Sequence, residues 1–218
     1  MLEILYSDAA IAVIVKPEGL ISEEGPIGRS VLPALRDVLG TDDIFPVHRL
    51  DRETGGVMVY ARTKYAAASL TRALAAGGIE KTYLALVHGR PEPAEGVFED
   101  LLFRDKRKNK SYVVSRERRG VRRASLSYRT LSEKDGLALV QIWLHTGRTH
   151  QIRVQFASRR MPLLGDGRYG AADGVSQLGL FACGLAFMHP ESGARMEFFT
   201  WPAGQIWDGV NLDMLGTR

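Results

Sequence analysis

Cysteine is almost missing from this chain of 218 residues; Cys183 is its one thiol. That excludes an intramolecular disulfide framework and any multi-cysteine zinc or iron–sulfur centre, a deaminase-type zinc site included. Its setting, Leu180-Phe181-Ala182-Cys183-Gly184-Leu185, marks it as a buried apolar side chain. Long hydrophobic runs are missing as well. The stretch Leu178–Met188 falls far short of the roughly 18 residues a membrane span needs. The run Ala9–Val15 stops at Lys16 and follows a start, Met1–Tyr6, that holds Glu3 and no basic residue, so no secretory signal is expected. These absences lead us to expect a soluble, cytoplasmic protein without a membrane partner.

Several chemical signatures are absent too. There is no G-x-x-x-x-G-K-[ST], no G-x-G-x-x-G and no G-x-S-x-G, and the five histidines are scattered with no pair at H-E-x-x-H spacing. No metal site and no cofactor are expected. What is present is ordinary globular composition, 45% hydrophobic and 25% charged. The length suits one substantial domain over residues 1–218, with no internal repeat and no dividing linker.

Charge is unevenly spread. Between Arg104 and Arg123 stand Arg104, Lys106, Arg107, Lys108, Lys110, Arg116, Arg118, Arg119, Arg122 and Arg123, opposed by Asp105 and Glu117 alone. Ten cations against two anions make a local +8 in a chain whose net charge is +4, leaving −4 elsewhere. Such a block attracts a polyanion, nucleic acid first among them; a solvated loop without a partner is the plainer reading. It reads as a basic insertion or long hairpin on the domain.

Short apolar runs at Ala10–Val15, Val57–Ala61, Lys81–Val87, Leu137–Leu144, Leu180–Phe187 and Arg195–Thr200 predict strands, and the alternation over Ala124–Thr130 predicts a half-exposed one. Leucines at helical spacing predict a helix over Ser30–Leu39, capped by Ser30 and stopped by Gly40. The Ala-rich Lys64–Ala76 and the segment Thr149–Ser158, with Thr149 as cap, predict two more. Strands outnumber helices and follow one another without helical crossovers. The fold class is therefore α+β, with a mixed, largely antiparallel central sheet and flanking helices.

Two polar clusters carry the chemistry. In Val47-His48-Arg49-Leu50-Asp51-Arg52-Glu53-Thr54-Gly55-Gly56, Asp51 lies between two arginines that favour its ionised form. That suits a nucleophile or base; a salt-bridged turn suits the residues equally well. In Leu144-His145-Thr146-Gly147-Arg148-Thr149-His150-Gln151-Ile152-Arg153, a helix start with arginines reads either as an anion site or as an amphipathic helix whose polar face meets water.

Taken together, these segments resemble the RluA-type pseudouridine synthases. His48-Arg49-Leu50-Asp51 with Thr54 and Gly56 resembles the family's H-R-L-D-x-x-T-S-G, and Lys81–Gly89 its K-x-Y-x-A-x-V-x-G. Thr146–Val154 resembles its T-G-R-T-H-Q-I-R-V, with Leu164-Gly165-Asp166 and Tyr169-Gly170 following, and Val13–Gly19 resembles its opening strand and K-P-x-G turn. One departure is Gly55, where the family has Ser; a small residue fits the turn, and the change touches the fine positioning of Asp51. The pattern starts so early that no S4 RNA-binding domain is expected.

The resemblance implies the pseudouridine synthase fold with an RNA-binding cleft, and isomerisation of uridine to pseudouridine in a transfer or ribosomal RNA stem-loop. It implies Asp51 as catalytic carboxylate, attacking C1′, adding to C6 or deprotonating C2′. Tyr83 would stack on the uracil and Arg153 would pair with the carboxylate. Base flipping would fall to Arg49, with His48, Arg52, Arg148, His150 and Gln151 around the RNA. Lys106, Arg107, Lys108, Lys110, Arg118, Arg119, Arg122 and Arg123 become candidate backbone contacts. No protein partner is implied, and relatives of this kind are commonly monomers. The competing class is a non-catalytic RNA-binding or ribosome-assembly factor on the same fold. A hydrolase using Asp51 as base is a third reading, and would need a second acid or a metal.

Overall fold

The computed structural model describes residues 2–25, 28–208 and 210. In chain order the elements are β1 (Glu3–Ser7), β2 (Ile11–Lys16), α1 (Leu32–Leu39), β3 (Phe45–Pro46), β4 (Gly55–Ala61), α2 (Lys64–Ala75) and β5 (Ile79–His88). There follow β6 (Glu95–Asp105), β7 (Lys110–Val114), β8 (Val121–Lys134), β9 (Leu137–Leu144), α3 (Gln151–Ser158), β10 (Leu180–Met188), β11 (Arg195–Phe199) and a 3-10 turn at Gln205–Trp207. They form two compact units, Met1–Lys81 with Phe181–Pro202, and Thr82–Leu180 with Ala203–Arg218.

In the first unit the strands run β1-β2-β4-β10-β11, with β3 beside β4. The β4–β10 pair is parallel, setting Phe181 opposite Gly55 and Ala182 opposite Gly56; the other pairings of this sheet are antiparallel. Every residue of β4 is buried, as expected of a central strand whose apolar run does not alternate. One core cluster unites Ile11, Val13, Val57, Val59, Leu185 and Phe187 of the sheet with Ala66 and Leu70 of α2. That helix starts where Thr63 Oγ1 accepts the Ala66 amide at 3.1 Å, a side-chain cap. Helix α1 ends at Gly40 in the left-handed region (φ 63°), as the sequence predicts, but its N-cap is Val31 rather than Ser30. The Ser30 hydroxyl still accepts the Leu32 amide, at 3.1 Å, so the chemistry is present one position early.

In the second unit the order is β5-β9-β8-β6-β7, antiparallel throughout. The predicted strand at 124–130 is the middle of a much longer β8, and β6 and β7 are strands that periodicity does not reveal. The cationic segment Arg104–Arg123 spans the end of β6, its turn to β7, β7 itself and the turn into β8. Helix α3 lies on this sheet: Phe156 meets Phe98 and Tyr128 edge-on, at centroid distances of 5.1 and 5.9 Å. Val154 packs with Leu102 and Ala124. The N-cap of α3 is His150, in a left-handed conformation (φ 52°), and not Thr149.

Candidate active site

In the first unit, the Asp51 turn is clamped from both sides. Ser22 Oγ accepts the Leu50 amide at 3.0 Å and donates to the Leu50 carbonyl at 3.1 Å. On the other side of Asp51, the Gly19 amide donates to Arg52 O at 2.8 Å. The turn closes on itself where the Thr54 amide donates to Asp51 O at 3.1 Å. The K-P-x-G turn therefore braces the H-R-L-D loop by backbone contact, and the half-buried Asp51 sits on the segment between them. Beneath lies Lys16, fully buried, its ammonium donating to Pro17 O and Leu20 O, both at 2.8 Å. Burial pulls its pKa down to about 8, while Glu18, Asp51 and Glu53 act to raise it. The sequence places Lys16 at the end of a strand and the start of the K-P-x-G turn; the structure adds that it is a cation in the field of the Asp51 carboxylate.

His48 faces inward. Its Nε2 accepts the Val59 amide at 3.2 Å, which fixes the proton on Nδ1, a buried atom with no hydrogen-bond partner among the described residues. Burial, with Lys81 adding to it, pushes its pKa down to about 3, so the ring is neutral. Arg49 and Arg52 point the other way, two-thirds and half exposed, with Arg49 paired to Glu23 at 2.7 Å. Gly56 (φ 126°) lies so close to Ala182 that a β-carbon would sit 2.1 Å from its carbonyl oxygen. Gly55 is not in the turn but opens β4, where a β-carbon would meet Glu18 Cγ at 3.1 Å and the Phe181 ring at 3.3 Å.

In the second unit, Tyr83 is buried on β5 opposite Ile142, which pairs in turn with Tyr128; these side chains share the sheet face that α3 covers. The helix start is neither an open anion site nor a solvated polar face, because its polar residues are buried and engaged. Gln151 Oε1 accepts from Thr146 Oγ1 at 2.7 Å and from the Arg148 amide at 3.0 Å, and its Nε2 donates to Ser125 O at 3.1 Å. His150 Nδ1 lies 3.0 Å from the Tyr169 hydroxyl, which accepts the Ser111 amide at 2.8 Å. Arg153, 4% exposed, donates from Nε and Nη2 to the two carboxylate oxygens of Asp166, at 2.7 and 2.8 Å. Arg148 alone of this group is exposed, its Nε on Arg123 O at 3.0 Å.

The basic segment presents its cations to solvent. Lys106, Arg107, Lys108, Arg118, Arg119, Arg122 and Arg123 are exposed, and Lys110 is half-buried. Arg118 lies over the Phe103 ring at 4.8 Å, and Arg123 pairs with Glu117 at 2.6 Å. A cavity of about 490 Å³ opens among Leu101, Val121, Glu117 and these arginines.

Comparison with known proteins places this fold and its H-R-L-D loop among RNA-modifying isomerases. The RNA pseudouridylate synthase family matches over residues 10–158, and the chain belongs to that family. It is similar to the dual-specificity RNA pseudouridine synthase RluA of Yersinia pestis, 36% identical over 202 residues, covering 89% of this chain and 96% of that protein. It is likewise similar to the ribosomal large subunit pseudouridine synthase C of Buchnera aphidicola subsp. Schizaphis graminum, 33% identical over 207 residues, 89% of this chain and 65% of that one. Among solved structures, human RNA pseudouridylate synthase domain containing 4 superposes with a TM-score of 0.76 at 27% identity, covering 92% of this chain and 88% of that one. The fold is the α+β pseudouridine synthase fold, and the enzyme is an isomerase acting on RNA. Among the described residues no helix is long and apolar enough to cross a membrane.

Proposed function

We propose that the chain, as one catalytic domain over residues 1–218, isomerises a uridine in a transfer or ribosomal RNA stem-loop, with Asp51 as catalytic carboxylate. The glycosidic bond from N1 to C1′ breaks, the bond from C5 to C1′ forms, N1 gains a proton and the hydrogen at C5 leaves to solvent. The observation that carries this reading is the Asp51 turn. Its carboxylate is held on a backbone clamped at Leu50 and at Arg52, within the field of buried Lys16. A side chain carried on a pre-organised backbone needs little reorganisation when charge develops at the sugar or base.

Tyr83 stacks on the uracil and Arg153 supports the carboxylate, the roles carried by resemblance. A stacked base is out of reach of a side chain, so the target is flipped, and the exposed Arg49 takes its place in the stack. Arg52 and Arg148 are exposed and meet phosphates, whereas His48, His150 and Gln151, buried as they are, shape the loops that bear them. The relative named for the ribosomal large subunit supports ribosomal RNA as a substrate, and the one named for dual specificity supports more than one target. The same proposal puts the reaction in the cytoplasm.

Release of tritium from RNA labelled at C5 of uridine tests the reading, with transfer and ribosomal RNA assayed separately. Release by the wild type and none by Asp51→Asn supports it. No release by the wild type from either RNA, with binding retained, overturns it in favour of the assembly factor.

A further inference from the structure

The L-G-D segment contributes nothing to the roles assigned so far, yet its aspartate makes a fully buried ion pair. Asp166 has a side chain 0% exposed, and both of its oxygens lie on the Nε–Nη2 edge of Arg153. Two parallel charge-assisted hydrogen bonds fix a guanidinium in its plane as well as in position. Asp166 is itself immobilised. Its amide donates to Leu163 O at 3.0 Å, its carbonyl accepts from Tyr169 N at 3.0 Å and Ala171 N at 3.1 Å, and its Oδ1 takes a further contact from Tyr169 N at 3.3 Å. The Tyr169 ring lies 5.5 Å from the guanidinium carbon, and its hydroxyl is tied to Ser111 and His150. A helix residue is thus aimed by a carboxylate 13 positions later in the chain, on a turn that cannot follow it if it moves.

We propose that Asp166 is a positioning residue of the isomerisation. It holds the guanidinium of Arg153 by one edge, so that the opposite edge, bearing Nη1, has a single direction in which to act. The proposal rests on the reading that Arg153 serves the reaction. A buried guanidinium without this carboxylate would keep its charge and lose its aim. The effect belongs on the chemical step and not on RNA binding, because neither side chain reaches the surface.

The test is single-turnover tritium release, with protein in saturating excess over whichever RNA the wild type modifies, beside an equilibrium binding measurement on the same RNA. Asp166→Asn keeps the shape and withdraws one acceptor; its rate is expected to fall by about 30-fold or more while Kd stays within about threefold. Two groups acting as a unit are non-additive, so Arg153→Ala with Asp166→Asn should be no slower than Arg153→Ala alone. Asp173→Asn is the control for the loop itself. It removes the acceptor of Gly165 N and the partner of His88 in the same loop and leaves the Arg153 pair intact. Its rate should stay near that of the wild type. Where Asp166→Asn fails to fold, Asp166→Glu, which keeps the charge but moves it by one methylene, must show the same loss of rate at unchanged Kd. A rate unchanged in the folded Asp166 variant, additive losses, or an equal loss in Asp173→Asn overturns the proposal. Silence of the wild type itself overturns the functional reading instead.

Discussion

Gly56 and Ala182 touch backbone to backbone where the H-R-L-D loop runs into the sheet. A β-carbon on Gly56 would lie 2.1 Å from the Ala182 oxygen and 2.7 Å from its nitrogen, and Gly56 has φ 126°. Both the space and the torsion exclude a side chain. Gly56→Ala is expected to cost about 3 kcal/mol or more, combining overpacking with a disallowed torsion, and to lower Tm by roughly 6–12 °C. Gly19→Ala has a positive φ of 81° but nothing within 4 Å, so its cost should be nearer ~1 kcal/mol. Thermal unfolding of both variants checks the contrast; equal losses would mean that the approach to Ala182 is unimportant.

At the neighbouring Gly55 the torsion is ordinary and the contacts are merely tight, with a flexible Glu18 side chain as the closest. Gly55→Ser, which restores the residue the motif has elsewhere, should cost about 1 kcal/mol or less, since a glutamate stem can swing aside. Tritium release should stay within about threefold, as β4 and not the Asp51 turn absorbs the change. A larger loss of rate than of stability would show that Gly55 is tuned to this chain's own loop.

Much of this arrangement is legible in the sequence. The apolar runs of β2 and β4, the alanines and Thr63 of α2, and the positive-φ Gly40 behind α1 each obey a local rule. Strand β6 hides because its covered face includes Asp100, a charge paired with Arg159 and hydrogen-bonded by Gln155 of the distant α3 region. For the same reason α3 reads as amphipathic: Gln151, Arg153 and Gln155 suggest a polar face, yet six of its eight residues are buried. Their partners, Ser125 and Thr146, Asp166, and Asp100, lie on other elements, and no periodicity announces a tertiary ion pair. The motif around Asp51 is visible as residue types; the clamp by Ser22 and Gly19 depends on a chain reversal that spacing does not encode.

Acid should expose the buried imidazole of His48. Its folded pKa is depressed to about 3 from 6.5, so between those values the unfolded chain binds a proton that the folded chain refuses. Stability is therefore full above pH 6.5 and falls as pH drops toward 3, by about 1.4 kcal/mol per pH unit from this group alone. His48→Gln offers Val59 N an acceptor without a titrating ring. Urea unfolding at about pH 7, 6, 5 and 4 should show the wild type losing ground to His48→Gln at each step. Parallel pH profiles would mean that the ring is protonated in the folded state.

The cationic tip between β6 and β7 should govern RNA affinity through phosphates and not through bases. Asp105 Oδ1 accepts the amides of Arg107 and Lys108, at 2.9 and 3.1 Å. Arg168 braces the turn from outside, accepting Lys110 Nζ on its carbonyl at 2.6 Å and donating from Nη1 to Asn109 O at 3.3 Å. The backbone is thus ordered while Lys106, Arg107 and Lys108 stay exposed. Little backbone entropy is left to lose on binding, so each cation can release its share of counterions. Changing all three to Gln should lower affinity and flatten the plot of log K against log salt by about 2, at roughly 0.7 to 0.9 for each phosphate no longer neutralised. Arg159→Gln is the counterpart. Its guanidinium is held by Asp100 and stacked 3.9 Å from the Phe98 centroid, so the variant should lose stability and leave the salt slope unchanged. If the triple variant keeps the wild-type slope, the phosphates are met elsewhere, and the arginines around Val121 become the next cations to neutralise.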